Sequence, residues 1–76
     1  MRDPLAYSVR VSAFDDCDVR RTYEAVWELG EVPTTWDAAR DAARRLRAML
    51  ARDGYTEEVK TCIDTYFTLS ISGVTE

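Results

Sequence analysis

The sequence predicts an α+β domain in which three antiparallel strands carry one α-helix on one face. Two early stretches alternate apolar with polar residues, a middle stretch has helical spacing, and a late stretch alternates again. Alternation with a period of two is typical of a half-buried strand, and apolar residues at i, i+3 and i+4 are typical of a helix. Because 76 residues suffice for one core only, we assign residues 1–76 to a single domain.

Two strands are predicted before the helix, over about residues 5–13 and about residues 19–29. The alternating apolar positions are Tyr7, Val9, Val11 and Ala13 in the first, and Val19, Tyr23, Ala25, Trp27 and Leu29 in the second. The aspartate-rich sequence FDDCD between them predicts a turn, because aspartate side chains accept hydrogen bonds from nearby backbone. The two strands therefore form a predicted β-hairpin.

The helix is predicted over about residues 35–53. Its apolar stripe consists of Trp36, Ala39, Ala43, Leu46 and Leu50. Thr34 and Asp37 match the S/T-x-x-D/E pattern of a helix N-terminus. Gly54 suits the position just after the last turn, where a left-handed backbone is common.

The third strand is predicted over about residues 58–72, either as one long strand or as two pieces with a bulge near Asp64. A crossover through the helix makes it parallel to the second strand and antiparallel to the first, so we predict the sheet order 2-1-3. The helix packs across the apolar face. The centre of the predicted core consists of Trp27, Trp36, Leu46, Leu50, Phe67 and Leu69.

Catalytic and metal chemistry find little support in the composition. The chain has no histidine, which is the commonest general base and a common metal ligand. With three glycines it contains no phosphate-binding glycine motif. We therefore predict a non-enzymatic protein without cofactor or metal, and interpret Asp15, Asp16 and Asp18 as a solvated turn rather than a Ca²⁺ site.

The two cysteines are predicted to be reduced thiols. No apolar run is long enough to cross a membrane, so we expect a cytoplasmic protein without a membrane partner. Reducing buffers in that compartment oppose disulfides. A bond between Cys17 and Cys62 stays open as an alternative, because strand one is expected to end near the start of strand three.

The leading functional prediction is a small protein-binding regulator or inhibitor. Phage and bacterial accessory genes encode such proteins, for example antitoxins and anti-CRISPR or anti-restriction inhibitors. A net charge of -4 argues against general attraction to nucleic acid and suits a basic partner, such as a nucleic-acid-binding surface. The predicted contact residues are Asp15, Asp16, Asp18, Glu24, Glu28, Asp64 and Tyr66.

Two other functions compete with this one. Arg40, Arg44 and Arg47 gather on one flank of the predicted helix, where they suit nucleic acid or an acidic protein surface. Asp37 and Asp41 lie beside this flank and would face phosphate, which disfavours nucleic acid. Strands two and three are both edges, and the third is poor in lysine and proline, which predicts pairing through that strand, either with a protein partner or with a second copy as a homodimer.

Overall fold

Strand β1 (Pro4–Phe14) is the centre of a three-stranded antiparallel sheet, with β2 (Arg20–Glu24) and β3 (Glu57–Phe67) on either side. The computed structural model describes residues 4–67, and side chains over 6–65. The strand order β2-β1-β3 and the antiparallel pairing are those predicted from the crossover. The main helix, α2 (Trp36–Arg52), packs on one face of the sheet, so the predicted α+β fold is confirmed.

The predicted second strand is too long, because β2 ends at Glu24 and a short helix, α1 (Ala25–Glu28), follows it. Two contacts explain this end. The Glu28 side chain accepts the Glu24 backbone N–H (2.7 Å), and Leu29 N–H donates to the Ala25 carbonyl (2.9 Å). Further along, the Pro33 carbonyl accepts the Tyr7 N–H (2.8 Å), so the linker takes the place beside β1 that a longer β2 would fill.

Both ends of α2 are capped. The N-cap is Thr35, not the predicted Thr34, and its hydroxyl accepts the Ala38 N–H at 3.1 Å. At the other end Gly54 has φ +96°, its N–H donates to the Ala51 carbonyl, and Tyr55 N–H donates to the Leu50 carbonyl. These two bonds form a Schellman motif and confirm the predicted role of Gly54.

The core lies between β1 and α2 and consists mainly of small side chains. Its fully buried members include Val9, Val11, Ala13, Ala39, Ala42, Leu46 and Leu50. Leu46 and Leu50 confirm their predicted place. The predicted burial of Trp27 and Trp36 is wrong, because 78% and 51% of their surfaces are exposed. Trp27 lies on α1 rather than on a buried strand face, and Trp36 is the first residue of α2, where its ring meets Tyr7 edge to face. The Phe67 side chain and Leu69 lie outside the described residues.

Strand β3 is continuous from residue 57 to 67, and the part of the predicted strand beyond it lies outside the described residues. Its pairing with β1 is regular around Asp64, so a bulge there is wrong. The irregularities lie at the two ends of the pairing instead: Pro4 pairs with Phe67 but Ala6 with Tyr66, and at the start of β3 Ser12 pairs with Lys60 but Phe14 with Glu57. The extra residue falls where Glu58 has φ +51°, the left-handed conformation found at bulges.

Cys17 and Cys62 are free and exposed. Cys17 lies in the turn after β1, whereas Cys62 pairs with Arg10 in the middle of the sheet. The start of β3 does lie beside the end of β1, but Cys62 is five residues further along the strand. The alternative of a disulfide between them is therefore wrong in this structure.

Candidate functional site

The free side of β3 is the longest backbone edge in the described part of the chain. Which of its groups point outward follows from two hydrogen bonds of β1. Tyr7 N–H donates to Pro33 and Asp15 N–H donates to Val19, and both acceptors lie on the β2 side. Backbone groups alternate along a strand, so the odd-numbered residues of β1 face β2 and the even-numbered ones face β3.

The even-numbered residues of β1 pair with Asp64, Cys62 and Lys60. In an antiparallel ladder, the two residues of a hydrogen-bonded pair exchange both backbone hydrogen bonds. The residues of β3 between these pairs therefore point their N–H and C=O groups away from β1. The outward N–H and C=O groups of β3 therefore belong to Thr61, Ile63 and Thr65. We call these groups the outer edge of β3.

An open groove of about 650 Å³ lies between α2 and β3. It exists because α2 lies over β1, so that β3 projects beyond the helix. Val59 is 46% exposed and Ile63 is half-buried, although both lie on the helix-bearing face. We call this space the arginine groove, and its principal lining residues are Trp36, Arg40, Arg44, Arg47, Thr61 and Ile63.

The three groove arginines differ in their partners. Arg44 donates to the Asp41 carboxylate, and this bond holds the pKa of Asp41 below its ordinary value. Arg47 donates to the Thr61 hydroxyl (3.2 Å), which ties the helix flank to β3. Among the described side chains, no carboxylate forms an ion pair with Arg40 or Arg47. The groove thus holds two guanidinium groups that a ligand's carboxylates can reach.

The opposite flank of α2 is neutralised within the chain. Arg45 donates to both carboxylate oxygens of Glu31 (2.6 and 3.1 Å) and approaches Asp41 (3.0 Å). The hydrogen bonds from Arg45 hold the pKa of Glu31 below its ordinary value. Of the three arginines that the sequence placed together on the groove flank, Arg40 and Arg47 therefore have no carboxylate partner among the described side chains, and Arg44 has Asp41.

The predicted acidic contact residues do not form one surface. Asp64 pairs with Arg10 across the open sheet face (3.0 Å), and the Glu24 carboxylate accepts the Ser8 hydroxyl (3.3 Å). Glu28 is occupied by the Glu24 backbone N–H. These acids serve the chain's own structure, and the Tyr66 side chain lies outside the described residues.

The acids of the β1–β2 turn lie at one end of the sheet. Asp15 makes the turn, since its carboxylate accepts the N–H groups of Cys17 (2.8 Å) and Val19 (2.9 Å). Asp16 and Asp18 are exposed, and exposed Glu57 lies nearby because it pairs with Phe14. A contact between this acidic end and a basic partner stays a prediction, as does the absence of a metal from the turn.

The sequence predicted the arginine flank of the helix but not the groove between that flank and β3. The helix flank and the strand parity were both readable, but the space between them depends on where α2 sits across the sheet. A signal was present in Ala39, Ala42 and Ala43, which all lie on the buried side of α2. Small side chains let a helix approach a sheet closely, and here they hold α2 against β1 rather than over β3.

Comparisons with protein-family models, with curated proteins and with solved structures found no match to this chain. Within residues 4–67, no helix has the length and apolar character needed to cross a membrane.

Proposed function

We propose that this protein is a non-catalytic protein-binding module, of the regulator or inhibitor class, that takes an extended segment of a partner along the outer edge of β3. The observation that carries the proposal is the position of that edge beside the arginine groove. Thr61, Ile63 and Thr65 offer three N–H and three C=O groups in a row. An extended peptide that pairs with them adds a fourth strand to the sheet.

Backbone pairing supplies affinity without a deep pocket. Each hydrogen bond formed in such an exchange contributes about 1 kcal/mol net, because both groups give up water. The edge also lacks the usual protections within its regular stretch, where Lys60 is the one lysine and no proline occurs. These features support strand addition over a contact made by side chains alone.

The groove selects the charge of the partner. An added strand lies about 4.8 Å beyond β3, and alternate side chains of that strand point to the helix-bearing face. Arg40 and Arg47 lie on that side and have no carboxylate partner among the described residues. A segment with carboxylates at alternate positions would satisfy both the edge and the arginines, so we expect an acidic partner segment.

The experiment is a selection of random twelve-residue peptides displayed on phage against the immobilised protein. The enriched peptides are expected to bind Thr61→Pro more weakly than the original protein, because this variant lacks one outward N–H. Thr61→Ala removes the same hydroxyl, and with it the bond from Arg47, but keeps that N–H, so it should bind the peptides far more tightly than Thr61→Pro. Backbone amide shifts on peptide addition should be largest at residues 61, 63 and 65.

Charge is tested on the same peptides. Arg40→Glu should weaken the acidic peptides about tenfold, because one attractive pair becomes repulsive. Arg52→Glu makes the same charge change on the exposed end of α2, outside the groove lining, and should have little effect. Selection of no peptides, or of peptides that bind Thr61→Pro as well as Thr61→Ala, would contradict strand addition.

Nucleic acid is the second candidate ligand, favoured by the placement of three arginines and the exposed Trp36 in one groove. Such a surface can combine phosphate contacts with stacking on an aromatic ring. Asp37 and Asp41 also line the groove and Arg44 is already paired, and both features oppose any anionic ligand. Nucleic acid is the weaker candidate because a run of phosphates needs several free cations, whereas two carboxylates on a strand held by the edge of β3 need only Arg40 and Arg47. Gel-shift titration with a single-stranded oligonucleotide tests it, and binding that falls steeply with salt and is lost in Arg40→Glu would establish it.

A further inference from the structure

We propose that in the free protein the outer edge of β3 is occupied by β3 of a second copy, in an antiparallel pair whose two-fold axis passes beside Cys62. The proposal rests on the proposed function, because both use the same outward backbone groups. It goes further by naming the occupant and its register. It also makes dimerisation and partner binding mutually exclusive.

The length of regular strand limits the registers that two copies can adopt. The bulge at Glu58 ends regular pairing on one side, and β3 is described to Phe67 on the other. A two-fold pair in this stretch must be centred near residue 62, 63 or 64. Centres further along would leave few residues of either copy paired.

Charge distinguishes these three centres. A centre at residue 64 places Asp64 opposite Asp64 of the second copy, which is repulsive. A centre at Ile63 places Lys60 opposite Tyr66 and leaves the lysine without a charged partner. A centre at Cys62 places Lys60 of each copy opposite Asp64 of the other, and both residues are exposed on the same open face of the sheet.

The backbone permits this register, and charge is what distinguishes it from the others. With the centre at Cys62, Thr61 of one copy lies opposite Ile63 of the other, and both carry outward N–H and C=O groups. The pair can therefore exchange two hydrogen bonds on each side of the axis. Cys62 faces its symmetry mate at a position without backbone hydrogen bonds, where Cα atoms are about 4.5 Å apart.

The helices leave room for this assembly. Both copies of α2 lie on the same face of the joined sheet, each over its own β1. Three strand spacings separate the two β1 strands, about 14 Å. That separation exceeds the 8–10 Å of packed helices, so the helices do not collide and the two arginine grooves merge into one channel.

The channel explains why the dimer yields to a partner. Arg40, Arg44 and Arg47 of both copies face it, and the residues that β3 presents there are Val59, Thr61, Ile63 and Thr65. None of these carries a carboxylate. Pairing of two copies therefore covers the edge but brings no carboxylate to Arg40 and Arg47 and sets two like-charged helix flanks against each other. An acidic segment satisfies both the edge and the arginines.

The first experiment measures mass by light scattering over a range of protein concentrations. The expected result is a dimer of twice the 8.7 kDa chain mass at high concentration. Thr61→Pro should raise the dissociation constant of the dimer more than tenfold above that of Thr61→Ala, which loses the same hydroxyl and its bond from Arg47 but keeps the N–H. A dimer of equal stability in Thr61→Pro would place the contact elsewhere and overturn the proposal.

The second experiment tests the register with a charge exchange that retains the backbone groups. Lys60→Glu alone should weaken the dimer about tenfold, because it creates two like-charge pairs. Asp64→Lys also creates two such pairs and in addition removes the ion pair with Arg10 of its own chain, so it should weaken the dimer at least as much. The double variant restores opposite charges across the axis and should restore the dimer. Failure of that restoration would exclude the register centred on Cys62.

The third experiment uses the thiol at the axis. In Cys17→Ser, mild oxidation should produce a dimer linked through Cys62, since a 4.5 Å Cα separation lies within the range of disulfides. The double variant Cys17→Ser, Thr61→Pro should cross-link less than Cys17→Ser alone. Equal cross-linking of these two proteins would show that the disulfide forms by random collision, and it would count against the proposal.

The outcomes separate this proposal from the proposed function. A chain that stays monomeric at all concentrations but still selects edge-binding peptides overturns the dimer alone. A dimer with the expected mutant pattern that no peptide dissociates supports self-pairing and contradicts the wider binding function. An acidic peptide that converts the dimer into a one-to-one complex supports both.

Discussion

At the scale of single residues, the core depends on a few aliphatic side chains among many alanines. Leu46 and Leu50 are completely buried, and so are Val9 and Val11 beneath them. Their neighbours Ala39, Ala42 and Ala43 bring the helix backbone close to the sheet. Because the two tryptophans lie at the surface, each leucine supplies a larger share of the buried apolar area than it would in an aromatic core.

Leu46→Ala should therefore lower the free energy of unfolding by about 3 kcal/mol, through lost burial and the cavity left behind. The measurement is urea denaturation followed by circular dichroism. Trp27→Ala is the control, since the exposed ring should contribute within about 0.5 kcal/mol. A larger loss from Trp27→Ala than from Leu46→Ala would contradict the described core.

Tyr23 connects β2 to the C-cap of α2, and its hydroxyl makes the free energy of unfolding fall at alkaline pH. Its hydroxyl donates to the Asp53 carboxylate (2.5 Å), and this bond, with burial of the ring, raises the pKa of Tyr23 above its ordinary value. The folded state therefore favours the protonated phenol. That stabilisation is complete below the unfolded pKa of about 10 and is lost as pH rises through the higher folded pKa.

Tyr23→Phe tests this dependence by comparison with the original protein. At pH 7 the variant should be less stable by about 1.5 kcal/mol, since it loses a hydrogen bond to a charged acceptor. Above about pH 10 the difference should shrink, because the phenolate of Tyr23 would repel Asp53. A stability difference that stays constant with pH would refute the role of Tyr23.

At the scale of elements, local pattern identified β1 and α2 well and misjudged the end of β2. Alternation through Ala25, Trp27 and Leu29 fits a strand, but Ala25 and Leu29 are also four residues apart, which fits a helical turn. The choice between them depends on the Pro33 carbonyl occupying the Tyr7 N–H, a contact between distant residues. A pattern confined to neighbours carries no information about that competition.

The N-terminus of α2 shows the same limit over a shorter distance. Thr34 and Thr35 are adjacent, and the pattern with Asp37 favoured Thr34, but the hydroxyl that accepts the Ala38 N–H belongs to Thr35. Thr35→Ala should cost about 1 kcal/mol of stability because it leaves a helix N–H without a partner. Thr34→Ala should cost much less, and the two are compared by thermal denaturation. Equal losses would show that neither hydroxyl caps the helix alone.

At the scale of the whole molecule, charge is distributed unevenly around a chain whose net charge is -4. The acids of the β1–β2 turn lie at one end of the sheet. Arg40 and Arg47, which have no carboxylate partner among the described side chains, lie in the groove beside β3. The sequence could predict that Arg40, Arg44 and Arg47 share a flank, since helical spacing determines it. It could not predict that an exposed strand edge runs beside them, because that depends on the position of α2 across the sheet.

The alternation of backbone groups along β3 makes a prediction for amide hydrogen exchange. At low concentration, where the chain is monomeric, the amides of Lys60, Cys62 and Asp64 should exchange slowly because they are bonded to β1. Those of Thr61, Ile63 and Thr65 should exchange fast, since they face solvent. Raising the concentration should slow Thr61 and Ile63 first, as the edges of two copies pair. Uniform protection of all six amides at the lowest concentration would show that the edge is already covered within one chain, and both proposals for β3 would then be wrong.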